Sequence, residues 1–351
     1  MLSAEIFGGA TLEKGQVLFL NEKEIYSLIT KEEALEIVDK VFKDYANGQV
    51  VNPVKLHLPI YPDVDGYINS MPSYNKTDKA TGIKVVSVYH DNPKGHGLPA
   101  TIGTIILHDW ETGMPYAIMG GTHVTNIRTG AAAGLKAKYL ANEDASVLAV
   151  IGAGAQGYSA MDMVMTAMGK DRIKEIRVSD LAEDRRAQYI EKARAVYPDV
   201  NYVSCQSNAE AMESADVALF AAAAPMPLLE SCPVKPGCTV ICINEMVTPK
   251  TIAKFDRFYT DFTDCVLERF NTSGHYSEKV TGRPYEDLTA DMVTCEIGDV
   301  MVGKVPGRMS HDDKLLTLDV GMGIEDCGVA SFVYKRALER GVGKILDFQN
   351  L

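Results

Sequence analysis

Val150-Ile151-Gly152-Ala153-Gly154-Ala155-Gln156-Gly157 is the stretch on which the reading of this sequence turns. It is a G-x-G-x-x-G motif that closes the apolar run Ser146-Val147-Leu148-Ala149-Val150-Ile151 and opens a helical stretch at 155–168. A run apolar at nearly every position has the texture of a parallel strand buried on both faces. Strand, glycine turn and helix in that order form the context that a dinucleotide fingerprint requires. Gly152 permits the tight turn, Gly154 lets backbone approach a pyrophosphate, and Gly157 lets the helix pack close to the strand. Ala153, Ala155 and Gln156 lie between them as further cofactor contacts. The helix N-terminus turns its N–H groups and positive dipole end toward phosphate.

An acid is expected at the end of the next strand. Ile176-Arg177-Val178-Ser179-Asp180 supplies Asp180, 23 residues beyond Gly157. A carboxylate there accepts from ribose hydroxyls and repels a 2′-phosphate, so NAD is expected ahead of NADP. Arg185 and Arg186 are the side chains that would hold a 2′-phosphate instead. FAD shares the fingerprint but ranks below NAD, because a whole domain precedes the motif.

Downstream, strands expected at 175–178, 202–204, 217–221 and 239–243 alternate with helices at 182–196 and 208–214. That alternation indicates a doubly wound parallel sheet. Ala221-Ala222-Ala223-Ala224-Pro225 follows the fourth strand, and its small residues, Ala222 first, allow close approach of a dinucleotide; plain packing explains them equally well. Val320, just before the last helix, is a candidate contact of the nicotinamide. The methionines of the first helix, Met161, Met163, Met165 and Met168, read as packing.

Upstream of the motif the texture differs. Thr30-Lys31-Glu32-Glu33 fits a capping box, and Leu35, Val38, Val41, Phe42 and Tyr45 follow at helical spacing. Short β-rich runs come next, at 54–59, 67–71, 82–89, 101–108 and 114–119, separated by Gly, Pro, Asn and Asp. They predict a mixed or mostly antiparallel sheet. An Ala- and Gly-rich helix is expected at 129–140. In the last segment Ile324, Cys327, Ser331, Tyr334 and Leu338 line one helical face, and this helix is expected to return to the first domain. The fold class is therefore α/β: a Rossmann-type doubly wound domain, residues 125–320, inserted in an α+β domain made of 1–124 plus 321–351.

Composition narrows the function. The chain has 351 residues and a net charge of −12, which argues against nucleic acid or an anionic membrane as partner. No apolar stretch reaches the ~18 residues a membrane span needs. Met1 to Gly15 lacks the pattern of a signal peptide. Seven cysteines without a C-x-x-C pair suit free structural thiols in a reducing, cytoplasmic setting. Histidine spacing shows no metal motif, and no catalytic metal is expected.

Several elements together carry a resemblance. Thr125-Asn126-Ile127-Arg128-Thr129-Gly130-Ala131-Ala132-Ala133 precedes the fingerprint strand. Gly82-Ile83-Lys84-Val85-Val86 and Thr112-Gly113-Met114-Pro115 lie upstream of it. Pro306-Gly307-Arg308-Met309-Ser310 and Gly323-Ile324-Glu325-Asp326 lie downstream. From about residue 15 to 345 the chain resembles the ornithine cyclodeaminase/mu-crystallin family. The resemblance implies a homodimer, in which the non-Rossmann domain binds substrate and forms the interface from its sheet, with the active site in the cleft between domains. It also implies hydride exchange at the α-carbon of a small amino-acid or imino-acid substrate.

By the same resemblance Lys84 matches the active-site lysine, Arg128 the arginine that holds the substrate carboxylate, and Thr129 a residue facing the cofactor phosphates. Lys55 stands where many members carry arginine, which keeps the charge but loses the planar fork. Cyclodeaminases carry an Asp in the loop after the fifth strand. Aligning Ile243-Asn244-Glu245-Met246-Val247-Thr248-Pro249-Lys250 on Pro249 puts Val247 there, and Glu245 replaces that Asp only if the loop is rebuilt. This departure favours a net-redox enzyme, an amino-acid dehydrogenase or imino-acid reductase, over redox-neutral cyclodeamination of ornithine or lysine. A non-catalytic binding protein of the mu-crystallin kind is the third reading, against which the retained Lys84 and Arg128 argue.

The residues themselves agree with this chemistry. An inward lysine in a β-rich run requires a partner or a lowered pKa. Lys55, Lys84 and Arg128 converging on a carboxylate would orient the α-carbon for hydride transfer. Met71, with Pro72, is expected as pocket wall. Asp326 opens the last helix, where an acid suits the dipole whatever its function.

Overall fold

In the computed structural model, which describes residues 12–222, 224, 227–243, 247–282 and 284–349, the chain divides into two compact units. One runs to Arg128 and resumes at Met322; the other is Thr129–Gly321. The first holds β1 (Gln16–Leu20), α1 (Glu22–Tyr26), α2 (Lys31–Ala46), β2 (Val50–Val51), β3 (Leu56–Pro59), β4 (Gly66–Asn75), β5 (Ala80–Tyr89), β6 (Thr101–His108) and β7 (Pro115–Gly120). Helix α3 (Thr122–Leu140) carries the boundary between the units within its length. The second unit continues with β8 (Val147–Ile151), α4 (Ala155–Met168), β9 (Glu175–Ser179), α5 (Glu183–Val196), β10 (Asn201–Cys205), α6 (Asn208–Met212) and β11 (Val217–Phe220). It then has β12 (Thr239–Ile243), α7 (Pro249–Ile252), β13 (Arg257–Thr260), α8 (Thr263–Thr281), β14 (Cys295–Glu296), α9 (Ile297–Met301) and β15 (Leu315–Asp319). Helix α10 (Gly323–Arg340) and β16 (Lys344–Asp347) return to the first unit.

The first unit is built on a mixed sheet of order β16-β1-β7-β6-β5-β4-β2, with β3 paired to β4. Its β3 to β7 pairs are antiparallel, while β1 joins β7 in parallel. Helix α2 starts at the expected capping box: Glu33 N–H donates to Thr30 Oγ1, and Thr30 N–H donates to the Glu33 carboxylate. It buries Ala34, Val38, Val41 and Phe42. Helix α10 packs on α2 and on β4 and β5. Its buried side centres on Cys327, Ala330, Val333 and Ala337, whereas Ser331, Tyr334 and Leu338, expected on that face, are only half-buried. The core it meets is narrower than the apolar stripe the sequence offers.

Helix α3 starts at Thr122, seven residues before the expected Thr129. Glu22 supplies the missing cap: its two carboxylate oxygens accept from Thr122 N–H and His123 N–H at 2.8 and 2.9 Å. A helix N-terminus has unpaired N–H groups that an acid satisfies well. This acid lies 100 residues away in sequence, so no local signal announces it.

The second unit has a sheet of order β10-β9-β8-β11-β12-β15-β13-β14, parallel at every pair. The apolar run 147–151 is its central strand. Order reverses between β8 and β11, the switch point at whose C-terminal edge open α/β sheets bind ligands. Strands β13 and β15 lie outside the expected alternation; each is a run of four or five residues. The methionines of α4 are buried, and a Cβ on Gly134 would lie 2.6 Å from the Met163 carbonyl oxygen, so α3 and α4 pack backbone to backbone. Among the described residues no helix is long and apolar enough to cross a membrane.

Candidate active site

Strand β5 turns Lys84 into the interior of the first unit, between its register partners Met71 on β4 and Ile105 on β6. All three are buried, and Lys84 is 0% exposed. A wholly buried ammonium is sustainable only with a partner. The partner is Asp326 on the first turn of α10, whose Oδ2 lies 2.6 Å from Lys84 Nζ. Asp326 Oδ1 accepts from Arg128 Nε at 3.0 Å, and Glu325 Oε2 accepts from Arg128 Nη1 at 2.9 Å. One carboxylate thus bridges two cations and its neighbour holds the far side of the guanidinium.

The start of α10 is fixed from several directions. Ile324 N–H donates to Asn52 Oδ1, and Met322 N–H donates to Glu325 Oε1. Gly323 sits so close to β4 that a Cβ would lie 2.6 Å from the Met71 carbonyl oxygen. Lys55, just before β3, is buried and close enough to Lys84 for the two charges to repel. Lys55, Lys84 and Arg128, read from the sequence as a cation cluster, are therefore brought together, and Met71 is buried opposite Lys84 in the sheet register. Pro72 points outward and is exposed.

Burial, then the Arg128 charge, pushes the Lys84 ammonium down to about 8; Asp326 opposes the shift and Lys55 adds to it. Burial alone would lower Arg128, but Asp326 and Glu325 outweigh it and hold the guanidinium above its ordinary value. Arg128 is thus a permanent cation, whereas Lys84 titrates close to physiological pH.

In the second unit the glycine loop has the geometry the motif implies. Gly152 adopts φ +102°, and a Cβ there would meet the Ala222 backbone nitrogen at 2.8 Å. A Cβ on Gly157 would meet the Gly152 carbonyl oxygen at 2.1 Å, so only glycine fits. Around Gly154 nothing lies within 4 Å of a Cβ, and it caps α4 without a side-chain bond. Ala155 and Gln156 open α4, whose first N–H groups have no partner within the helix. An exposed backbone loop leading to such a helix end fits a pyrophosphate.

Asp180 stands at the end of β9. Its Oδ2 accepts from Ala153 N–H at 2.9 Å and its Oδ1 from Ala182 N–H at 3.0 Å. Arg186, one of two arginines suited to a 2′-phosphate, is buried instead. Its Nη1 donates to the Asp180 carbonyl, Nε to Ser204 Oγ and Nη2 to Gln206 Oε1. Arg185 stays exposed.

Thr129 is buried on α3, next to Gly130, which approaches Ser159 of α4. Val320 is buried beyond β15, and its N–H donates to Asp261 Oδ2 at 2.9 Å, as does Gly321 N–H at 2.6 Å. Asp261, and the buried pair of Lys136 with Asp319 at 2.6 Å, carry no motif that marks them in the sequence. Ala222 is half-buried beside Gly152. Ala223, Pro225 and Glu245 lie outside the described residues. Among those described, no group of three His, Cys, Asp or Glu is arranged to hold a metal ion.

A model of the ornithine cyclodeaminase/mu-crystallin family matches residues 16–341. The alanine dehydrogenase of Archaeoglobus fulgidus is 28% identical over 333 residues, which is 95% of this chain and 99% of that protein. The Delta(1)-pyrroline-2-carboxylate reductase of Thermococcus litoralis, solved with NADH and L-proline, is similar in fold with a TM-score of 0.83 at 28% identity, covering 93% of this chain and 99% of that one. An archaeal alanine dehydrogenase dimer with bound NAD gives the same score and identity, covering 95% and 100%.

Proposed function

The chain belongs to the ornithine cyclodeaminase/mu-crystallin family, and on that premise we propose that it is an NAD-dependent oxidoreductase acting at the α-carbon of a small amino or imino acid. The observation that carries this reading is the buried cluster of Lys55, Lys84 and Arg128 compensated by Glu325 and Asp326. Lys84 and Arg128 share one carboxylate of Asp326, and two cationic heads brought so close suit the carboxylate of an α-imino or α-amino acid. Arg128 and Lys84 bind that carboxylate and fix its orientation, with Met71 beneath. The first unit is thus the substrate-binding unit.

NAD would be held by the second unit, with Gly152 to Gly157 and Thr129 toward the phosphates, Asp180 toward the ribose, and Ala222 and Val320 as further contacts. Its nicotinamide, when bound, would supply or accept the hydride. An imino acid gains hydride at its α-carbon and a proton at nitrogen, giving the amino acid and NAD; oxidation runs the other way. Lys84, which titrates near neutrality, is suited to hold that proton. The locked Arg186 supports NAD over NADP.

A homodimer is proposed through the first unit's sheet. Leu56, Leu58, Val85 and Ile102 are exposed there, and the similar archaeal alanine dehydrogenase is a dimer. Sedimentation of the purified chain checks the stoichiometry. For the activity, absorbance at 340 nm is followed with a panel of cyclic imino acids and keto acids plus NADH, and with amino acids plus NAD. Silence across the panel refutes the reading. Ammonia and proline from ornithine with no net NADH would instead establish cyclodeamination.

A further inference from the structure

We propose that Asp326 is the positioning residue of the cation cluster: by bridging Lys84 and Arg128 it sets the spacing of their heads and the charge that Lys84 carries toward a substrate carboxylate. The inference rests on the proposed role of Lys84 and Arg128 in binding that carboxylate.

Three observations support it. Asp326 is wholly buried and uses both oxygens, Oδ2 on Lys84 at 2.6 Å and Oδ1 on Arg128 at 3.0 Å. Because one rigid carboxylate contacts both, neither cation can shift without the other being disturbed. The first turn of α10 is itself held by Asn52, by the Glu325–Met322 bond and by the contact of Gly323 with Met71. The position of Asp326 is therefore held by these contacts of its helix turn as well as by the cations it meets.

The electrostatics point the same way. From α10, Lys84 faces Asp326 and Cys327; from α3 it faces Arg128, and from the segment before β3, Lys55. Burial pushes the Cys327 thiol up to about 12, so it is neutral and contributes no charge. Arg128 and Lys55 both disfavour a protonated Lys84, and Asp326 is the carboxylate paired with it. Without that carboxylate, burial and two neighbouring cations would drive Lys84 to the neutral amine, and the substrate would lose one of its cations.

The test compares the full-length wild type with D326N and D326E. Lysines are labelled with 13C at Cε and titrated by NMR, with Lys84 assigned from K84M. This readout needs no turnover, and NADH binding by each variant verifies that the chain is folded. In D326N the Lys84 midpoint should fall by about one pH unit or more, as expected on loss of a contacting opposite charge. D326E should keep it near the wild-type value. In steady state, D326N should raise KM for the imino acid by about fivefold or more at pH 8, the loss of protonated Lys84 that a one-unit fall from about 8 brings. The defect should shrink on acidification, as Lys84 regains its proton.

An unmoved Lys84 midpoint in folded D326N overturns the proposal. So does a KM defect that is the same at every pH. If D326N fails to fold, a D326E midpoint displaced as far as one unit overturns it as well. If instead K84M turns over imino acids normally, the carboxylate-binding role fails, while the Lys84 titration still reports on Asp326 separately.

Discussion

Lys84 Nζ lies 2.6 Å from Asp326 Oδ2, and neither side chain reaches solvent. Such pairs seldom raise stability over an apolar alternative, because dehydrating two ions offsets most of their attraction. Breaking one, however, is severe. A strand lysine maintained in this way is better explained by what it binds than by what it contributes to folding. The same reasoning covers Arg128, whose guanidinium meets two carboxylates.

Arg128→Ala should abolish turnover and destabilise the chain by about 3–5 kcal/mol, since buried Glu325 loses its arginine and Asp326 one of its two cations. Arg128→Lys should recover much of the stability and little of the activity, because an ammonium cannot serve Glu325 and Asp326 with a planar fork. Thermal unfolding and NADH oxidation, measured side by side, check both. Substantial activity in R128A would remove Arg128 from the site.

Lys84 makes stability depend on pH. Folding lowers its affinity for a proton, from the ordinary 10.5 to about 8. The unfolded chain therefore holds more protons between those values, and stability rises with pH there. The cost of burying the charged lysine is complete below pH 8 and fades toward 10.5. Relative to K84M, the wild type should gain stability across that window. Denaturant midpoints measured on either side of it test this, and a constant gap would contradict it.

Gly154 and Gly157 should fail in different ways. Gly157→Ala forces a Cβ to 2.1 Å from the Gly152 carbonyl oxygen, so the loop must rearrange and both folding and NADH binding should suffer. Gly154→Ala meets nothing within 4 Å. It should fold normally yet weaken NADH binding about tenfold or more, the extra methyl standing where a pyrophosphate approaches. Fluorescence titration with NADH and unfolding curves separate the two cases.

Asp180 and Arg186 should separate affinity from cofactor choice. Asp180→Ala frees Ala153 N–H and Ala182 N–H and should narrow the preference for NADH over NADPH. Arg186→Met loses its bonds to the Asp180 carbonyl, Ser204 and Gln206. It should weaken NADH without improving NADPH. A gain in NADPH affinity in R186M would mean that the arginine does not act through the loop.

The parts of the fold that rest on local pattern were legible in the sequence. The run 147–151 and the glycines after it give the central strand and its turn, and Thr30 with Glu33 gives the start of α2. Lys84 could be read as inward because a charge among Ile83, Val85 and Val86 is conspicuous. What sequence order conceals is contact at a distance. Asp326 reads as a dipole acid because Arg128, which it meets, is 198 residues away. The true start of α3 depends on Glu22. Arg186 reads as a phosphate ligand until Ser204 and Gln206 on the neighbouring strand and the turn beyond it draw it inward. Strand β13, Arg257-Phe258-Tyr259-Thr260, and strand β15, Leu315-Leu316-Thr317-Leu318-Asp319, are short mixed runs whose identity comes from the strands beside them.

The carboxylates of α10 also set an order of assembly. Chains are made from the N-terminus, so Lys84 and Arg128 leave the ribosome long before Glu325 and Asp326 exist to neutralise them. Until α10 emerges, closing the first sheet over Lys84 would bury an ammonium with two other cations beside it, and water must stay. The second unit, by contrast, has its whole parallel sheet in hand once β15 is made. The second unit is thus able to finish first, and the first unit, whose strands are made before it, closes last, on helix α10.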